Sequence, residues 1–211
     1  TLNCMRSLKY LPFVLFSFVF LAACQPKQDP QQDKQYSELQ PAKQPLHLNA
    51  VTYVFSLTCS ACRDMQSQIP TLEKLTKQHF GSLPLTADNP SQVAAVFYYA
   101  AAMQSQHEPS AELIQNLYQE LLQSKGRTLT EQQNAIEQVF NHENLVSPYQ
   151  FDSMQQKVLS RELDHAIAIN QSLALGSAPS FIVRGKYLVH VNQHESIDQL
   201  ADTINYLLSK H

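Results

Sequence analysis

Apolar and polar positions change period several times along the chain, and each change marks an element. Val51 to Leu57 reads Val-Thr-Tyr-Val-Phe-Ser-Leu, a β-branched and aromatic run that predicts a buried strand ending directly at Thr58-Cys59. A helical period follows, in which Met65, Ile69, Leu72 and Leu75 share one face, and Pro70 inside that run predicts a kink or a split. Ser82 to Asn89 offers one short apolar patch near two prolines, at best one poor strand. From about 91 to 173 the pattern is helical throughout: Val93 to Met103, Ser110 to Ser124 with Leu113, Ile114, Leu117 and Leu121, and Thr130 to Phe140, opened by a Thr130–Gln133 capping box. Ser147 before Pro148 is the expected start of the last of these helices, with Phe151, Met154, Val158, Leu163 and Ile167 as its core stripe. Alternation then returns in Phe181 to Arg184 and Tyr187 to Val191, joined by a Gly185-Lys186 turn as a hairpin. Ser196 and Gln199 can cap a closing amphipathic helix through Ile197, Leu200, Ile204 and Leu207. Gln35 to Pro45, with Tyr36, Leu39 and Pro41, is placed at the start of the fold as an edge segment. The order is strand, helix, helical block, hairpin, helix.

The first residues have another character. Met5 is followed by Arg6 and Lys9, an apolar run from Leu11, and Leu21-Ala22-Ala23-Cys24, the layout of an export signal. Leu11 to Ala23 is too short for a membrane-spanning helix, which needs roughly 20 apolar residues. Leu-Ala-Ala-Cys resembles a bacterial lipobox, which implies that Cys24 becomes the lipid-modified first residue of the mature protein. Thr1 to Cys4 precede Met5 and are left out of the fold reading. The expected organisation is therefore a leader over 1–24, a polar tether over 25–34 and one folded domain over 35–211. A flexible tether of about ten residues has a mean span of roughly 17 Å, which keeps the domain close to the membrane. Gln25 after the lipid cysteine, rather than Asp, points to the outer membrane by the usual lipoprotein rule.

Net charge is -3 and the basic residues are scattered, so no basic stripe exists to neutralise phosphates and nucleic acid is excluded as the expected partner. Of four cysteines, only Cys59 and Cys62 fall inside the folded part. A bridge between them closes a loop of two residues and removes little entropy from the unfolded chain, so stability is a weak reason for it. At a strand end and helix start, the first sulfur of C-x-x-C lies near unpaired backbone N–H groups and the positive end of the helix dipole, which favours its thiolate. Cys59 is thus read as the exposed sulfur that forms mixed disulfides, and Cys62 as the resolving thiol within. A zinc or copper site would need further ligands, and none of the eight histidines lies within ten residues of the pair, so no metal is expected. An inert structural bridge is the alternative reading of the same pair.

Three segments carry a closer resemblance: Tyr-Val-Phe-Ser-Leu-Thr-Cys-Ser-Ala-Cys over 53–62, Gly-Ser-Ala-Pro-Ser-Phe-Ile-Val-Arg-Gly-Lys-Tyr over 176–187, and Ala-Asp-Thr-Ile-Asn-Tyr-Leu over 201–207. They look like the corresponding segments of DsbA-type oxidases, a family that inserts a helical block at this place. The resemblance implies an α/β thioredoxin fold with an inserted all-helical block and a kinked C-x-x-C helix. It also implies Cys59 as nucleophile, Cys62 as resolving cysteine, Pro179 as a cis proline facing them, and Ala178 as the residue whose backbone pairs with an extended substrate peptide. No cofactor is implied. The expected partners are exported proteins that contain cysteine and a membrane redox partner for reoxidation, with the enzyme a lipid-anchored monomer on the periplasmic face of a bacterial membrane. Ser60-Ala61 departs from the family's usual Pro-His, so no imidazole there helps to hold the thiolate, and a less strongly oxidising pair is expected. The chain also lacks Trp. Two alternatives stand beside the oxidase: a reductase or isomerase on the same fold, and a lipoprotein binding module whose Cys59–Cys62 bridge is inert.

Overall fold

The structure is a computed structural model that describes residues 29–41, 46–105 and 108–210. The expected leader and Cys24 lie outside the described residues. Of the segment expected as a tether, the part from Asp29 is described, and it runs into a hydrogen-bonded turn: Gln35 N–H donates to Gln31 O at 3.0 Å and Asp33 N–H to Tyr36 O at 2.7 Å.

A five-stranded sheet forms the centre. Its strands are β1 (Tyr36–Glu38), β2 (Val51–Phe55), β3 (Phe80–Pro84), β4 (Ser180–Val183) and β5 (Tyr187–His190), in the spatial order β1-β5-β4-β2-β3. β2 runs parallel to β3 and antiparallel to β4, with Val51 opposite Phe80 on one side and Val183 on the other. β4 and β5 make the expected hairpin, turning through Arg184 and Gly185 at positive φ, and β1 pairs antiparallel with the far side of β5. The segment expected at the edge thus supplies the edge strand β1.

β3 is better formed than its sequence suggests. It begins at Phe80 and all five of its residues pair with β2. Gly81 and Pro84 obscure it, and both have a place. A Cβ on Gly81 would lie 2.9 Å from the Asn49 side chain, and Pro84 sits at the strand end on an edge, where a missing N–H is tolerated.

Side chains alternate across the sheet and divide the interior in two. Val51, Tyr53, Phe55, Phe80, Phe181 and Val183 face a large aromatic core, whereas Val54, Leu83 and Ile182 face a smaller aliphatic one. The large core is closed by α1 (Ser60–Gln66), α2 (Ile69–Thr76) and α7 (Ile197–Ser209), with α4 (Ala111–Leu122) and α5 (Leu129–His142) behind them. α6 (Ser153–Ser172) covers the other face through Ala166 and Ile169. α3 (Asn89–Ala102) packs between α6, α4 and β3.

The expected helical block is thus present as α3 to α6, but its details differ in three places. α5 is capped by Thr128, not Thr130, because Thr128 and Glu131 bond each other reciprocally, while Gln133 bonds Glu137 on the helix face. Ser147-Pro148 opens only a 3-10 turn (Pro148–Gln150), after which Asp152 and Gln155 form the capping box that starts α6. The expected stripe of α6 is also displaced. Phe151 is buried, but Met154 is 68% exposed and Val158, Leu163 and Ile167 are only half-buried. The buried positions are Leu159, Ala166, Ile169 and Asn170, a face that includes one small and one polar residue, which hydrophobic periodicity underweights.

Candidate functional site

β2 delivers the chain to the pair through a short turn in which Cys59 N–H donates to Ser56 O at 3.0 Å. The Ser56 Oγ and Thr58 Oγ1 hydroxyls bond each other at 2.8 Å and steady that turn. Cys59 is itself the N-cap of α1: its backbone is extended, and its Sγ accepts from Cys62 N–H at 3.1 Å. A helix start leaves its first N–H groups unpaired, so a sulfur placed there meets partial positive charge. α1 then ends after two turns and α2 begins at Ile69 with Pro70 second, where its missing N–H is no loss. The expected kink is therefore a full split at Ser67-Gln68.

Cys59 and Cys62 form a disulfide, with their Cα atoms 5.2 Å apart. Their surroundings differ. Cys59 is partly exposed, whereas Cys62 is 0% exposed and belongs to the aromatic core with Met65. Facing the pair is the loop before β4, where the Ala178–Pro179 peptide is cis and the Ala178 carbonyl lies 3.7 Å from Cys59 Sγ. Ala178 and Pro179 are half-buried, and Ser180 Oγ donates to Ser177 O at 3.1 Å beneath the loop. The four residues singled out in the sequence thus gather in one place, although Cys59 and Ala178 are 119 positions apart.

Little charge reaches the exposed sulfur. Ser60 and Ala61 are both exposed and neutral, and the first turn of α1 holds no acidic residue. Arg63 pairs its exposed guanidinium with the neighbouring Asp64, 3.2 Å away, and makes no hydrogen bond to Cys59. What remains for a Cys59 thiolate is the helix start, its Cys62 N–H above all. Among the described residues, no three His, Cys, Asp or Glu side chains gather as a metal-ligand set, and no helix is long and apolar enough to cross a membrane.

Two residues beneath the pair escaped the sequence reading. Tyr53, counted there only as a strand aromatic, stacks on Phe55 with centroids 5.4 Å apart and donates from its hydroxyl to the Cys62 carbonyl at 3.0 Å. Its polar tip on an inward strand position was the available signal. Tyr118 on α4 is wholly buried below it, and a lone aromatic within a helical stripe gave no signal at all. Burial drives both phenols well above their ordinary range, so both remain protonated.

No protein-family model matches the chain and no curated protein matches it. Solved structures do. Oxidoreductase DsbA from Xylella fastidiosa superposes with a TM-score of 0.67 at 16% identity, over 86% of this chain and 97% of that one. Pseudomonas aeruginosa DsbA gives 0.64 at 18% identity, over 85% and 93%. A Proteus mirabilis DsbA in complex with a non-covalently bound peptide, PWATCDS, gives 0.59 at 14% identity, over 87% and 100%. At such identities the likeness fixes the fold: this chain has the DsbA arrangement of a thioredoxin sheet with a helical insertion.

Proposed function

We propose that this protein is a thiol–disulfide oxidoreductase that introduces disulfides into exported proteins through Cys59 and Cys62. The observation that carries the reading is the asymmetry of the pair: a partly exposed sulfur at a helix start facing a cis-proline loop, bonded to a sulfur sealed in the core. A substrate thiolate attacks Cys59 Sγ, the Cys59–Cys62 bond breaks, and its electron pair leaves on Cys62. A second substrate thiolate then attacks the substrate sulfur of the mixed disulfide, and Cys59 leaves as thiolate. The substrate has lost two electrons and the enzyme carries them as a dithiol, to be passed to a membrane redox partner. The Ala178 backbone presents an edge on which an extended peptide around the substrate cysteine can lie, with Pro179 keeping that edge against Cys59. A monomer anchored through Cys24 on the periplasmic side of the outer membrane, acting on exported proteins, fits the expected leader and tether.

One observation favours a second direction of flow. With Ser60-Ala61 between the cysteines and Arg63 paired with Asp64, the hydrogen bond that holds the Cys59 sulfur comes from the helix start. A weakly held thiolate makes the reduced state less stable and the pair less oxidising, which suits a reductase or isomerase. Redox equilibrium of the full chain against glutathione, with alkylation to identify the reacting cysteine, separates the readings. An oxidising pair with Cys59 alkylating first supports the oxidase. A strongly reducing pair supports the reverse flow, and a bridge inert to exchange removes both in favour of a binding module.

A further inference from the structure

The exchange steps leave unexplained why two phenols stand under the resolving cysteine. Tyr53 is fixed: its hydroxyl donates to the Cys62 carbonyl at 3.0 Å, and its ring is held between Phe55 and Phe181, with centroids 5.4 and 5.2 Å away. Tyr118 is not. Its hydroxyl is buried at 0% residue exposure and interacts with that of Tyr53, yet no group meets it at good hydrogen-bond geometry. A buried hydroxyl so poorly partnered carries a desolvation penalty that is only partly compensated, and native interiors rarely keep one without a use. α4, which carries Tyr118, packs directly on α1, and Tyr118 and Cys62 belong to one core cluster.

We propose that Tyr118 is the hydrogen-bond donor held in reserve for the Cys62 sulfur when the disulfide opens, with Tyr53 the positioning residue that fixes the Cys62 backbone above it. This inference rests on the exchange reading. When a substrate thiolate bonds to Cys59, the leaving electron pair places a full negative charge on a sulfur buried among apolar side chains, which is costly without a donor. A phenol O–H rotates freely about its C–O bond, so Tyr118 can redirect its donor as the charge on that sulfur develops. The proton stays on oxygen and the charge on sulfur. The charge is discharged when Cys62 attacks the mixed disulfide again, or when it takes up the proton that the second substrate thiol releases on becoming a thiolate. Because burial keeps both phenols protonated, the donor is present at any pH at which the thiols react.

The test compares the full chain with its Tyr118→Phe and Tyr53→Phe forms. The measurements are the rate of glutathione exchange, the ultraviolet thiolate titration of Cys62 in the reduced protein, and Tm in both redox states. Tyr118→Phe is expected to slow exchange about tenfold, the scale of one hydrogen bond to a charged group. It should also move the Cys62 titration upward and raise Tm of the disulfide form alone, because the poorly partnered hydroxyl is gone. Equal Tm gains in both redox states with unchanged exchange and titration would overturn the donor role, leaving Tyr118 as packing. Tyr53→Phe should slow exchange as well while lowering Tm of the disulfide form, and unchanged exchange there overturns the positioning role. A wild-type pair that does not exchange with glutathione overturns this inference together with the function it rests on, whereas a wild type that exchanges and is matched by Tyr118→Phe overturns this inference alone.

Discussion

The two faces of the sheet solve the same packing problem with different materials. Under the cysteine pair, Tyr53, Phe55, Phe80 and Phe181 form a continuous aromatic floor, with Tyr53 and Phe181 centroids 5.2 Å apart and Phe80 and Phe181 5.6 Å apart. Large flat rings with two rotatable bonds make a floor that resists adjustment, and a phenol among them brings a hydroxyl to the underside of Cys62 without a charge. The opposite face is aliphatic and is stitched by one buried amide. Asn170 on α6 accepts from Thr86 N–H at 3.2 Å and donates to Pro84 O at 3.1 Å and Ala166 O at 2.9 Å, tying the helical insertion to the end of β3. One face therefore underlies the cysteine pair and the other holds the insertion in place. A chemical perturbation of the first should reach the cysteines, and one of the second should reach only stability.

Phe181→Ala is the largest test of that division. Its ring touches Tyr53 and Phe80, so the loss should be about 3–5 kcal/mol by denaturant unfolding, with a measurable change in glutathione exchange as the floor loosens. Asn170→Ala follows at about 2–3 kcal/mol, because it leaves Thr86 N–H and Pro84 O unpaired in the interior, and exchange should stay at the wild-type rate. A changed rate in Asn170→Ala would break the separation of the faces. Asp152→Ala removes two capping hydrogen bonds at the start of α6 and should lower stability by about 1 kcal/mol, again with the redox equilibrium untouched. The smallest effect lies at His194, whose ring nitrogens meet His190 O and Thr203 Oγ1 and whose burial pulls its pKa below the ordinary value. Between the folded and unfolded values the unfolded chain binds more protons, so this contribution is complete above the ordinary histidine range and fades as pH falls through it. Tm measured from pH 7 down to pH 5 should drop less in His194→Gln than in wild type.

Legibility followed how local the signal was. The pair, its strand, the split at Pro70, the hairpin and the loop at Pro179 were readable because each is announced by neighbours in the chain: a β-branched run stopping at a cysteine, or a proline ahead of a short strand. β3 was half hidden because Gly81 and Pro84 answer to Asn49 and to an edge position, neither visible locally. The stripe of α6 was misplaced because the sheet selects Ala166 and Asn170, one for size and one for its amide, over the more apolar Met154. Tyr118 was illegible for the same reason. Its meaning depends on which residue lies across the core, and Tyr53 is far from it in sequence.

Cys59 and Ala178 meet across 119 positions, and β2 pairs with β4 only after the whole helical block has been made. Closing so long a loop carries an entropic cost that only the finished sheet offsets, and contacts of this range form late. A growing chain therefore displays its C-x-x-C before the loop that faces it exists, and the completed pairing of β2 with β4 marks the moment at which the two halves of the site first share one surface.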